Sequence, residues 1–337
     1  MQQVDKSTPV PLLLLLLVAA CAAPGEPSLA PGDEHRLSRI ALGTLVEIAV
    51  RETDPARARA ALEWSFAEIE RLEGLLSTWR DDTEIAALNR AAGHWRRVSP
   101  ETAAVLDAAL ALAGETDGAF DPTIRPLLRA WGFEGGRQRV PTPGELRALR
   151  GLVDWRQLER RSGQARLTTP GMGVSLGGIG KGFVADTVLR GLRARGIGAA
   201  LVAASGDLAL YGGTGERPWP VAVEDPDRPG EALARFALRE GGISTSAATW
   251  RAFAAGGSRH HHLLDPRTGR PAEGIRSLTV VASNATRADA LSTALFVMGP
   301  TGALEFARSH PDVAVVAQFD DGRRFASAEL GVRWERP

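Results

Sequence analysis

Two stretches of the chain carry residue types that could hold a phosphorylated ligand. The first is "SLGGIGKGFVADTV" (175–188), where Gly177, Gly178, Gly180 and Gly182 surround Lys181 just ahead of a helical pattern. Backbone amides at a helix start can bind phosphate oxygens, and a lysine adds a point charge. The spacing is not that of a P-loop: the residue after Lys181 is Gly182, where the magnesium-binding hydroxyl would stand. A dinucleotide G-x-G-x-x-G pattern fails as well, so a glycine turn with a solvated lysine remains open. The second stretch is "TRADALSTALFVMG" (286–299), in which Asp289 and Thr293 share one helical face. A carboxylate among Ala, Ser and Leu is costly unless paired, and Mg²⁺ accepts carboxylate, hydroxyl and backbone oxygens. The alternative is that Asp289 serves the dipole near its helix start while Thr293 only fills space.

A third stretch, "RHHHLLDPRTGRP" (259–271), offers adjacent histidines but no H-x-x-x-H pair. Neighbouring side chains diverge, so at most one or two could face a site. The turn from Asp265 to Gly269 could fix a histidine as a base near neutrality, or the segment is an exposed loop. Arg80, Glu84, Asp121 and Asp207 are individually weak signals, because surface and turn roles explain each equally well.

These residues need a scaffold. "RIALGTLVEIAV" (39–50) reads as one strand around a glycine, and Asp54-Pro55 caps a helix burying Leu62, Phe66, Ile69, Leu72 and Leu76. Ser99-Pro100 starts a second helix, and Thr142 to Glu145 forms a capping box for a third. The segment 182–195 is a helix stopped by Gly196, and Ala288 to Met298 is an apolar helix. "AALVAAS", "WPVAVEDP", "LARFALRE", "LTVVAS" and "VAVVAQF" read as strands. Helices interspersed with hairpin-like strands predict an α+β fold, with mixed or antiparallel sheets and packed helices in two intimately joined lobes.

The amino terminus is an export signal: Lys6 precedes an apolar run, Leu12 to Val18, far shorter than the roughly 20 residues of a spanning helix. Val18-Ala19-Ala20-Cys21 looks like a lipobox, and Cys21 is the only cysteine. Residues 1–20 then form a lipoprotein signal peptide, 21–36 a lipidated tether rich in Pro, Gly and Ala, and 37–337 the domain. Loss of the one thiol to lipid excludes disulfides and cysteine-ligated zinc. Forty basic residues balance forty acidic ones, which argues against nucleic acid as a partner.

Together the segments resemble the ApbE-type flavin transferases. The matching blocks are "LGTLVEI" (42–48), "STWRDDTEIAALN" (77–89), "GAFDPTIRPLLRAWGF" (118–133), "LGGIGKGFVAD" (176–186), "SGDLALYGG" (205–213), "ISTSAATWR" (243–251), "HLLDPRTGRP" (262–271) and "ADALSTALFVMG" (288–299), in family order. The resemblance implies a lipid-anchored periplasmic enzyme that binds FAD with Mg²⁺. It would move FMN onto a threonine hydroxyl of an acceptor protein and release AMP. Implied acceptors are subunits of membrane redox complexes, such as sodium-pumping quinone reductase. Asp289, Thr293 and the Gly178 carbonyl would bind Mg²⁺, and Lys181 would contact FAD. Leu42, Thr78, Trp79, Arg80 and Asp121 would line the nucleotide pocket. His262, fixed beside Asp265, is the expected base. Hydrolysis of FAD to FMN and AMP, or flavin binding without catalysis, are the rival readings. The residue after Cys21 is Ala22 rather than the aspartate associated with inner-membrane retention, which favours the outer membrane. Three positions depart from the family pattern: Leu42 replaces Met, Gly180 replaces Ala, and Ser175 replaces an aspartate ahead of the Leu-Gly pair.

Overall fold

A computed structural model describes residues 33–335. The export signal, Cys21 and most of the proposed tether lie outside the described residues. The domain starts earlier than residue 37, because residues 34–36 already belong to strand β1 (Glu34–Ala41). Ion pairs explain the early start: Asp33 meets Arg217 at 2.6 Å and Glu34 meets Arg51 at 3.1 Å.

The central sheet has eight strands. After β1 come β2 (Thr44–Arg51), β3 (Ala199–Ala204), β4 (Asp207–Tyr211), β5 (Gly241–Ala247), β6 (Ile275–Ala282), β7 (Ala314–Phe319) and β8 (Arg324–Ala326). Each pairs antiparallel with the one labelled before it. The stretch read as one strand over 39–50 is a hairpin. Leu42 and Gly43 both take positive φ (53° and 70°), as a two-residue turn matching the strands' twist requires. The Leu42 N–H also donates to Glu73, which helps hold a non-glycine residue in that conformation.

Among the described residues seven α-helices punctuate the strands: α1 (Pro55–Leu76), α2 (Glu84–Arg90), α3 (Pro100–Glu115), α4 (Arg125–Trp131), α5 (Pro143–Arg150), α6 (Gly180–Ala194) and α7 (Ala285–Ser309). The caps at Asp54 and Ser99 and the box at Thr142 and Glu145 form as expected. The connector over 118–133 contains α4. The apolar helix does not end at Met298; it breaks at Gly299-Pro300 and resumes to Ser309. By length and composition α7 could cross a membrane, but half of its apolar window is buried, and it packs in the main core.

Both faces of the central sheet are covered. Val46, Ile48, Val202, Leu278 and Val280 face the helices, while Leu201, Leu210, Ile243 and Val316 face a small sheet of Trp219–Glu224, Ala232–Leu238 and Arg333–Trp334. Burial on both sides is why "AALVAA" is apolar throughout rather than alternating.

Helices α6 and α7 cap one another. Asp186 of α6 accepts from the N–H groups of Ala285 and Thr286 at the start of α7. Asp289 of α7 accepts from the Gly182 N–H in the first turn of α6 at 3.1 Å. Each carboxylate thus satisfies donors that a helix N-terminus leaves free. The crossing is close enough that a Cβ on Gly182 would lie 2.2 Å from the Ala285 carbonyl oxygen.

Candidate functional site

The start of α6, the first turns of α7 and the β3–β4 turn converge at one end of the central sheet. Lys181 reaches from α6 to Asp207, which begins β4, with Nζ and Oδ2 2.7 Å apart. Asp207 also accepts from the Ser244 hydroxyl of β5. Ser244 meets Ser292 of α7 at 3.0 Å, and Ser292 meets Ser246 at 3.0 Å. The half-buried ammonium therefore stands at the end of a continuous polar chain. Burial acts against its charge, but Asp207 and Asp289 outweigh that and hold Lys181 protonated above its ordinary range.

Asp289 is 3% exposed. Burial first, and then the nearby Asp207, push its carboxyl up to about 7, against the pull of Lys181 and the Gly182 N–H. Thr293 lies one helical turn on, and Gly178 is packed against it: a Cβ at Gly178 would sit 2.8 Å from the Thr293 hydroxyl. The structure thus joins the two motifs, more than a hundred residues apart, that the sequence offered separately. Among the described residues no cluster of three His, Cys, Asp or Glu side chains is arranged for a metal. The expected set has another composition: the Asp289 carboxylate, the Thr293 hydroxyl and the Gly178 carbonyl are the hard oxygen donor types that suit Mg²⁺. A carboxylate held near neutrality by burial beside a second carboxylate is also a site that a cation would relieve.

His262 faces the same region but is not held by Asp265. Its Nδ1 lies 3.2 Å from the Trp250 carbonyl, and its ring is edge-on to Phe133 at 6.4 Å. A carbonyl only accepts, so Nδ1 carries the proton and Nε2 keeps its lone pair. The Asp265 carboxylate instead takes the N–H and guanidinium of Arg267, and its carbonyl closes the turn to Gly269 at 2.7 Å. Asp265 is a turn residue, as its place before Pro266 and Gly269 permits. The three histidines do diverge: His260 lies tilted against Trp131, and His261 turns to Phe296 and the Ala272 carbonyl.

Burial, with Arg251, His261 and Lys181 nearby, pushes His262 down to about 3. Its folded pKa lies below the unfolded value near 6.5, so the stability from keeping it neutral is complete above about pH 6.5. That stability is withdrawn as pH falls towards 3. We expect His262→Gln to flatten the acid limb of a stability curve between those values, measured by urea unfolding at each pH. An unchanged limb would contradict the half-buried neutral imidazole.

Other expected pocket residues divide. Trp79 is 64% exposed, with the Arg251 guanidinium 5.3 Å above its ring. Thr78 beside it is half-buried. Arg80 is exposed and forks onto Asp82 at 2.7 and 3.0 Å. A local pair two residues along wins because it needs no long-range closure. The Asp121 carboxylate is spent on the Thr123 N–H and hydroxyl and on the Trp155 N–H. What that segment presents to the glycine loop is the Phe120 ring, 3.4 Å from a Cβ built at Gly178.

Two residues of the site gave little sequence signal. Asp207 was one polar residue at a strand end. Arg251 has positive φ (43°), donates to the Phe133 carbonyl at 2.7 Å, and brings its charge to both Lys181 and His262. Non-glycine residues held in the left-handed region cluster at functional sites, but φ is not legible from composition.

The model of the ApbE family matches residues 42–317. The chain is 34% identical over 317 residues to the FAD:protein FMN transferase of Treponema pallidum, covering 88% of each protein. It is 32% identical over 325 residues to that of Salmonella typhimurium, covering 93% of this chain and 92% of the other. Among solved structures, the ApbE protein of Thermotoga maritima superposes with a TM-score of 0.83 at 30% identity, covering 90% of this chain and all of that one. The flavin transferase ApbE of Vibrio cholerae gives 0.79 at 29% identity, covering 89% and 99%.

Proposed function

The chain belongs to the ApbE family, and from that premise we propose that it is an FAD:protein FMN transferase, moving FMN from FAD to a threonine hydroxyl of an acceptor protein and releasing AMP. The observation that supports this reading is that Lys181, paired with Asp207, stands in the first turn of α6 where the Gly182 N–H meets Asp289 and Gly178 packs against Thr293. A cation beside hard oxygen donors at a helix start suits a ligand that brings concentrated negative charge, as a pyrophosphate does.

The acceptor oxygen bonds to the FMN-side phosphorus as the bond to the AMP phosphate breaks, and AMP leaves with the bridging oxygen. Asp289, Thr293 and the Gly178 carbonyl would hold Mg²⁺, which when bound neutralises phosphate charge and polarises the phosphoryl oxygens. Lys181, kept charged by Asp207, stands ready against phosphate oxygens without reorganising. Arg251 adds a second cation beside Trp79, whose exposed indole is suited to stack on a flat ring. His262, with Nδ1 committed to Trp250, offers Nε2 to the acceptor hydroxyl. Its depressed basicity suits it to orient that hydroxyl, and incoming phosphate charge would raise its proton affinity.

The amino-terminal leader and Cys21 support attachment to a membrane on the periplasmic side, with the outer membrane favoured and the residues from Cys21 to the start of the domain as the tether. Acceptors would then be periplasmic domains of membrane redox complexes. The decisive experiment coexpresses the protein with such candidate subunits and measures their masses. An FMN-sized addition on a threonine is expected. AMP production without an acceptor, and no addition on any subunit, would replace transfer by FAD hydrolysis.

A further inference from the structure

The loop after α4 places a carboxylate against the glycine loop that no motif announces. Glu134 is 4% exposed. One of its oxygens is held by the Arg125 guanidinium, while Oε2 is buried with no hydrogen-bond partner among the described residues. The Ser175 hydroxyl lies beside this carboxylate. Ser175 is itself fixed: its N–H donates to the Pro122 carbonyl at 2.8 Å, and Asn89 clamps both backbone groups of the preceding Val174. The same loop forms a wall of the site, since the Phe133 carbonyl binds Arg251 and the Phe133 ring faces His262. A buried carboxylate oxygen without a donor is costly, and such groups in folded proteins normally have a reason.

We propose that Glu134 and Ser175 form a second recognition point for the flavin nucleotide, accepting a hydrogen bond from one of its hydroxyl, amino or imide groups. The carboxylate missing at position 175 is thereby supplied from another element, the loop following α4. This rests on the flavin-nucleotide reading above and adds a residue to it. An ionised carboxylate only accepts hydrogen bonds, and it repels phosphate. The nucleotide is therefore oriented with its pyrophosphate at Lys181 and an N–H or O–H donor at Glu134. Arg125, fixing the other oxygen, makes Glu134 a rigid acceptor.

The test is FAD binding by the purified protein with Mg²⁺ and no acceptor, followed by flavin fluorescence. Glu134→Gln should weaken binding by about tenfold or more, measured at a temperature where the variant is folded. Adding Ser175→Asp to that variant should restore most of the affinity, because it returns a carboxylate to the same wall. If Glu134→Gln does not fold, Arg125→Gln combined with it removes the cation left unpaired and gives the same comparison. Titrations with FMN and with ADP then locate the donor: weakening confined to one of them supports the proposal. Equal weakening of both, unchanged FAD binding, or failure of Ser175→Asp to rescue a folded variant would overturn it. FAD binding by the parent without transfer would defeat the transferase reading and leave this one standing.

Discussion

Asp289→Asn should leave the protein folded and lower FMN transfer by at least about 100-fold. The two roles of Asp289 make this substitution more informative than alanine. Its Oδ2 accepts from the Gly182 N–H and so caps α6. Alanine removes the cap together with the charge, leaving a buried N–H unsatisfied at a cost of about 1–3 kcal/mol. Asparagine keeps an oxygen for that N–H but cannot supply the negative charge a magnesium ion needs. Thermal melting should therefore separate the two variants, whereas initial rates of transfer should not. Excess Mg²⁺ should restore little activity to either. Full transfer by Asp289→Asn without added metal would remove Asp289 from the metal site.

The second large effect falls on a glycine. Gly182→Ala should destabilise the protein by at least about 3 kcal/mol, at or beyond the upper end of ordinary overpacking. The added methyl would meet the Ala285 carbonyl oxygen at 2.2 Å, its carbon at 2.5 Å and the Thr286 nitrogen at 2.9 Å. These are backbone atoms held by Asp186, so no side-chain rotation relieves the clash. The helices must move apart, and that movement separates the Gly182 N–H from Asp289. Stability and transfer should fall together, as read by urea unfolding and by initial rate. Gly177→Ala in the same loop is the control: its Cβ would meet nothing closer than the Ser175 hydroxyl at 3.6 Å. Equal tolerance of both substitutions would mean that the α6–α7 crossing is looser than described.

Much of the scaffold could be read directly. Asp54-Pro55, Ser99-Pro100 and the Thr142 box act within one turn, so their caps follow from local chemistry. The apolar runs of β3, β6 and β7 were legible for the same reason. The first hairpin was missed because its turn is Leu42-Gly43 rather than Asn-Gly, and only the paired register of β1 and β2 reveals the positive φ. Helix α4 was missed because Pro126 and the flanking glycines mark turns as readily as a helix start.

The sequence by itself determined the inventory of the site. It supplied a lysine in a glycine-rich helix start, an Asp/Thr pair one turn apart, a run of histidines, and eight ordered blocks that pointed to one family. Tertiary structure decided which of these act together. It brought Lys181 to Asp207, set Gly178 beside Thr293, gave His262 to Trp250 instead of Asp265, and added Arg251 and Glu134. Local patterns report what a residue can do within a turn or two of chain. Partnerships across 12 to more than 100 residues depend on which backbones can approach, and at the α6–α7 crossing that is decided by a missing side chain at Gly182.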